Sequence, residues 1–217
     1  GMEEQNVDYY KGVVRLMDDI GEATSKQALF HAVWASILLN PSTRLGSINY
    51  LMERIPKDVL SDEFDIYFPN GKRLVANALI CAVQDDAVLV QRNILELIVQ
   101  QFPVCNNYFT VPELARLIAP ALLVQLKREL SLSRRVYTWL LGPDEEDESY
   151  FQKYAKEATV MAINSIFAAH STPVKATVPF KMLLHLFDKV ELVTAVIDSI
   201  LPCVFEILHL FKEQHCI

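Results

Sequence analysis

The stretch LICAVQDDAVLVQRNILELIVQQ, Leu79–Gln101, constrains the fold more than any other part of the chain. Apolar residues recur at helical spacing on both sides of Asp85-Asp86, and neither side alternates as a half-buried strand would. The acid pair is a turn signal, because Asp competes for backbone N–H groups outside a helix and favours caps. The stretch predicts two helices, Lys72–Gln84 and Ala87–Phe102, forming a hairpin about that turn. Val90-Gln91-Arg92 falls early in the second helix, where Asp86 is expected to cap and Arg92 to reach back across the turn. A lone hairpin leaves apolar faces uncovered, so further helices must stack on it.

The rest of the chain supplies them. Tyr9–Ile20 carries Val13, Leu16, Met17 and Ile20 at helical spacing, and Gly21 is expected to break it. Ser25 reads as the N-cap of Lys26–Leu39, which has a broad apolar face and ends at Asn40-Pro41. Ser42 opens a helix with Leu45, Ile48, Leu51, Met52 and Ile55 that stops at Pro56. Asp62–Gly71 reads as a loop with Phe64, Ile66, Tyr67 and Phe68 held on the core and Asn70-Gly71 turning; a short strand is the alternative. After a loop at Pro103–Thr110, Val111–Glu129 is a long helix with Pro112 in its first turn, kinked or split at Pro120. Leu132–Leu141 follows, capped by Ser131, then an acidic linker, Gly142–Glu148. Ser149–Ala169 is helical, Ser171–Pro179 is a loop, and Phe180–Phe187 and Glu191–Gln214 are helices joined near Asp188. About nine or ten helices joined by short turns make an all-α protein. The hairpin has the layout of a HEAT-type repeat, so the expected architecture is an α-solenoid of degenerate HEAT- or armadillo-like hairpins, in one domain over residues 1–217.

Composition narrows the function classes. Only 6 Gly in 217 residues disfavour a turn-rich β fold, and a net charge of −7 argues against a nucleic-acid binder. Cys81, Cys105, Cys203 and Cys216 show no CxxC pair, which suggests a reducing compartment and neither a disulfide framework nor zinc. Gly1 before Met2 reads as the residue left by tag cleavage, and the stretch as a piece of a larger chain. The most apolar segment, Leu192–Phe211, carries Asp198, Glu206 and His209 with Pro202 at its middle, and reads as a buried helix rather than a membrane span. No phosphate-binding loop, nucleophile elbow or HExxH motif occurs. His31, His170, His185, His209 and His215 lack metal-ligand spacing. No enzyme, metal site or cofactor is expected.

Leu126–Asp144, LKRELSLSRRVYTWLLGPD, is the densest in features that packing alone does not demand. Leu132, Val136, Trp139 and Leu140 form a stripe that should face the core, which turns Arg134 and Arg135 outward or sideways. Lys127 and Arg128 lie where a helix C-terminus favours cations. These basic side chains either complement that dipole and pair with Asp144–Glu148, or form a cationic notch for an acidic partner peptide or a phospholipid headgroup. Arg44, in Ser42-Thr43-Arg44-Leu45, stands near a positive helix N-terminus and needs a local acid, which points to a structural bridge between repeats.

These residues resemble the N-terminal region of the Dopey family of large cytosolic trafficking proteins. The matching pieces are ALFHAVWASILLNPSTRLGSINYL (Ala28–Leu51), DDAVLVQRNILELIVQQFP (Asp85–Pro103), LKRELSLSRRVYTWLLGPD, SYFQKYAKEATVMAI (Ser149–Ile163) and, less closely, PFKMLLHLFDKVEL (Pro179–Leu192). Residues 1–25, Asp62–Gly71 and Val104–Ala121 carry little of it, and the linker Asp144–Glu148 is shorter than in animal members. The resemblance implies an internal piece of the family's N-terminal domain, serving as a non-catalytic scaffold in Golgi and endosomal transport. It would be cytoplasmic and peripheral on those membranes. The implied partners are a large scaffold related to Arf exchange factors, an aminophospholipid flippase, kinesin light chain and a phosphoinositide-bearing membrane.

Overall fold

The computed structural model describes residues 2–57, 59, 63–69, 72–142, 150–170 and 177–215. These form α-helices, short 3-10 turns and one π-helical turn, with no strand among the described residues. The protein is all-α, as the periodicity requires. Two compact units divide at Leu97/Ile98.

The first unit contains α1 (Met2–Ala23), α2 (Lys26–Leu39), α3 (Arg44–Arg54), the single turn α4 (Phe64–Tyr67), α5 (Lys72–Val83) and the start of α6 (Val88–Gln101). Helix α2 is its centre and touches α1, α3, α4 and α5. Its buried residues Phe30, Val33, Trp34 and Ile37 recur at helical spacing and form one face. Ser25 caps the helix, accepting from the Ala28 N–H at 3.4 Å. Asn40 stops it and uses Oδ1 to accept from Ser42 N (3.2 Å) and Oγ (2.7 Å), so α3 starts at Arg44 rather than at Ser42. The segment expected to be a loop before Asn70-Gly71 includes α4, and no strand forms there among the described residues. The Trp34 indole N–H donates to the Tyr67 carbonyl at 2.9 Å, and Phe68 is buried beside it. Asn70-Gly71 lies outside the described residues.

Gly21 does not break α1, which continues to Ala23. A Cβ added at Gly21 would lie 2.8 Å from Leu29 Cδ2, so glycine here permits close approach of α2 instead of terminating a helix.

The second unit contains a 3-10 turn at Val104–Asn106, α7 (Val111–Val124), another at Gln125–Lys127, α8 (Leu130–Leu141), a π-helical turn at Phe151–Ala155, α9 (Lys156–Ala169), α10 (Thr177–Leu186) and α11 (Val190–His215). Helix α9 packs on α7 and on α11, burying Leu117, Ile118, Ala121 and Leu122 against Ala162, Ile163 and Phe167. Glu113 accepts from the Thr110 N–H at 3.0 Å and fixes the start of α7. Pro120 does not split α7; the helix runs to Val124, tightens to 3-10, and ends where Arg128 turns left-handed at φ 58°. Helix α8 starts at Leu130 with Glu129 at its N-cap position, so Ser131 lies inside the helix instead of capping it. It ends at Gly142, whose φ of 89° suits only glycine; an added Cβ would meet the Tyr150 ring at 3.0 Å. The loop expected from Ser171 lies outside the described residues as far as residue 176, and α10 begins at Thr177.

Candidate functional site

The hairpin about Asp85-Asp86 is held by side chains that the periodicity did not single out. Gln91, 2% exposed, donates from Nε2 to the Val83 carbonyl at 2.8 Å and so spans the turn. Asp85 accepts from the Ala87 N–H at 2.8 Å through Oδ1 and pairs with Arg44 through Oδ2. Asp86 and Arg92 are both exposed. Arg44 is 6% exposed and is committed on several sides: Nε donates to the Ile37 carbonyl at 2.8 Å, Nη2 to Cys81 Sγ at 3.2 Å, and Nη1 to Asp85. Its guanidinium ties the α2–α3 corner to the α5–α6 turn. Its donors are spent inside the fold, so it is a structural bridge and not a ligand site.

Trp139 is likewise structural. It is 2% exposed and donates its indole N–H to the Phe102 carbonyl at 2.8 Å. Leu132, Val136 and Leu140 are fully buried on the same helix, so the apolar half of Leu126–Asp144 is core.

The basic half stays at the surface. Lys127, Arg128 and Arg134 are exposed, and Arg135 is half-buried because its guanidinium turns back to the Ser131 carbonyl at 2.8 Å. The proposed partners Asp144–Glu148 lie outside the described residues. The fold adds a cation that sequence proximity hid. Helix α10 lies against the Gln125–Lys127 turn, and Lys189, just after it, places Nζ 5.3 Å from the centre of the Tyr137 ring. The Tyr137 hydroxyl reaches Gln125 Oε1 (2.8 Å) and the His185 carbonyl (3.1 Å). Burial, with the nearby Asp188 carboxylate, pushes that hydroxyl up to about 12, so it remains a donor at neutral pH.

A second feature, in the first unit, carried no motif. Helices α1, α2 and α3 enclose an open cavity of about 490 Å³, walled by Tyr9, Val13 and Met17 on one side and Ala32, Ser36 and Gly46 on the other. A polar cleft of about 230 Å³ adjoins it, with Tyr50 and Leu29 common to both. In that cleft Arg54 grips Asp18 through Nε (3.0 Å) and Nη2 (2.7 Å), and the Tyr50 hydroxyl donates to Asp18 at 3.0 Å. The bonds from Arg54 hold the Asp18 carboxyl below its usual range, while burial pushes the Tyr50 hydroxyl up.

No group of three metal-ligating side chains occurs among the described residues, and no described helix is long and apolar enough to cross a membrane.

Comparison with known proteins places these sites in a family context. The chain is 25% identical to "Protein DOP1 homolog" of Drosophila melanogaster over 94% of its length and 9% of that protein's. It is 28% identical to "Protein DOP1B" of Mus musculus over 92% of its length and 10% of that protein's. It is 32% identical to "Protein pad-1" of Caenorhabditis elegans over 64% of its length and 6% of that protein's. The chain thus spans a tenth or less of these relatives. No solved structure matches. The model "Dopey, N-terminal" matches residues 1–145, a span that takes in residues 1–25, Asp62–Gly71 and Val104–Ala121, where the recognisable motifs are sparse. With two thirds of the chain under that match, the protein belongs to the Dopey family.

Proposed function

We propose that this chain is a non-catalytic scaffold module of a peripheral membrane-trafficking protein, acting in Golgi and endosome transport by protein–protein interaction. Family membership is the observation that carries this reading. The side-chain chemistry agrees with it: the buried polar residues Arg44 and Gln91 are engaged in holding helices together, and Trp139 is core. The partner expected for the surface is the large Arf-exchange-factor-related scaffold. Affinity capture from cytosol should retain it on the wild-type chain and lose it on a variant with Arg128→Glu and Arg134→Glu, both exposed positions. Equal capture by a fully folded charge-reversed variant removes these residues from the interface. Absence of any trafficking scaffold from the captured proteins would remove the reading itself.

A second reading, supported by the exposure of Lys127, Arg128 and Arg134, is that they bind an anionic phosphoinositide headgroup. Flotation with phosphoinositide liposomes tests it. Binding that survives Lys127→Ala, Arg128→Ala and Arg134→Ala together refutes it.

A further inference from the structure

We propose that the crevice between α1, α2 and α3 binds a zwitterionic single-chain amphiphile of the lysophospholipid class, with the hydrocarbon chain in the apolar cavity and the head in the adjoining polar cleft. The cavity, about 490 Å³, lies within the size range of small-molecule sites, and none of the described residues in its wall is charged. The Ser and Thr hydroxyls in its wall are already engaged, Ser42 with Asn40 and the others with one another or with a backbone carbonyl. Ser36 Oγ and Thr43 Oγ1 are 2.7 Å apart, Ser47 Oγ donates to Ser36 at 3.3 Å, and Thr43 Oγ1 donates to the Asn40 carbonyl at 3.2 Å. These groups need no ordered water inside, and a cavity of this kind favours an apolar occupant.

Gly46 lines the cavity and is the position at which bulk can be added to it. It lies within α3, where glycine is unfavourable, yet an added Cβ would meet nothing within 4 Å. Among the described residues no neighbour requires the missing side chain, and its absence leaves that part of the cavity open.

The cleft sharing Tyr50 and Leu29 with this cavity has the opposite character. It presents Lys26 and Arg54 together with Asp18 and Glu22. Both signs of charge stand beside a cavity whose described lining carries none, which matches a zwitterionic head on one hydrocarbon chain better than a fatty-acid anion. The walls are fixed in advance by Tyr50 and Arg54 on Asp18, and by the Tyr10 hydroxyl, which donates to Glu53 at 3.2 Å.

Native mass spectrometry of the whole chain with lysophosphatidylcholine, below its micelle concentration, tests the assignment. A single adduct is expected on the wild type. Gly46→Leu and, independently, Ala32→Leu, at an exposed position in the cavity wall, should weaken it at least tenfold by filling the cavity. Gly12→Leu adds the same bulk into open space outside the cavity and should leave binding unchanged. Circular dichroism identifies which variants are folded. Absence of an adduct, or equal binding by either folded cavity variant, overturns the site. A monoacylglycerol or a fatty acid that binds as tightly overturns the assignment of the head. A protein dimer that forms without lipid and is lost in Gly46→Leu means that a second copy occupies the crevice, and also overturns the proposal.

Discussion

Replacing Arg44 by Ala should be among the most damaging single changes in the first unit. Its side chain is 7% exposed and its partner Asp85 is 13% exposed, so water cannot take over the lost contacts. Removing one member of a buried ion pair costs about 3–5 kcal/mol, because the remaining charge keeps its desolvation penalty. The Ile37 carbonyl also loses a donor, and a buried unsatisfied acceptor costs about 1–3 kcal/mol, which is part of this total. Domain stabilities are about 5–15 kcal/mol, so the loss is a substantial fraction. For a chain of this length, each kcal/mol corresponds to about 2–4 °C in Tm. Thermal and urea unfolding followed at 222 nm should therefore place Arg44→Ala about 6–20 °C below wild type. Asp85→Asn should cost a comparable amount, because an amide oxygen kept on the Ala87 N–H turns the amide NH2 towards Arg44 and leaves the buried guanidinium unpaired. In the double variant the two losses should fall short of additivity by more than about 0.5 kcal/mol, the limit for independent sites. An Arg44→Ala variant that unfolds with wild type, or strictly additive single effects, would refute the bridge.

Other substitutions test other elements. Trp139→Ala should destabilise the second unit by about 3–5 kcal/mol, read from the urea midpoint, because a fully packed indole and its bond to Phe102 are lost together. Gly142→Ala should cost about 1–3 kcal/mol in the same assay, since the backbone at φ 89° excludes a Cβ and Tyr150 fills the space. Asp18→Asn should cost no more than about 1 kcal/mol at pH 7, because Asp18 and Arg54 are 35% and 33% exposed and solvent screens their pairing. Asp18 has a lowered folded-state pKa, so its contribution is complete above the unfolded value of about 3.9 and fades as pH falls through the folded one. Wild-type and Asp18→Asn melting curves should therefore converge in acid; a gap that widens below pH 4 would contradict this sign.

Local signals in the sequence placed some helix ends and missed others, since Ser131 lies inside α8 and Ser42 precedes α3. Ser25 and Asn40-Pro41 bound α2 at the positions that capping and the restriction before proline require. The stripe Leu132, Val136, Trp139 and Leu140 is buried as its spacing demands. Tertiary contact decided the rest. Gly21 stands inside a helix because Leu29 comes close to it. The bond across the hairpin is made by Gln91, not by the charged neighbour Arg92, and a signal for this was available: Gln91 shares a helical face with Ile94, Leu95 and Ile98, which assigns it to the buried side. Lys189 joins the neighbourhood of Tyr137 across 52 positions of sequence, and the crevice beside α3 needs three separate helices, so neither leaves a pattern in any one segment.

Gly142 and Tyr150 have a practical consequence for observing the protein. The close approach of the Tyr150 ring to Gly142 means that the chain leaves α8 and returns towards α9 at nearly the same point in space. The Tyr150 ring is therefore a reporter on the end of α8, and its NMR resonances should shift when that end frays.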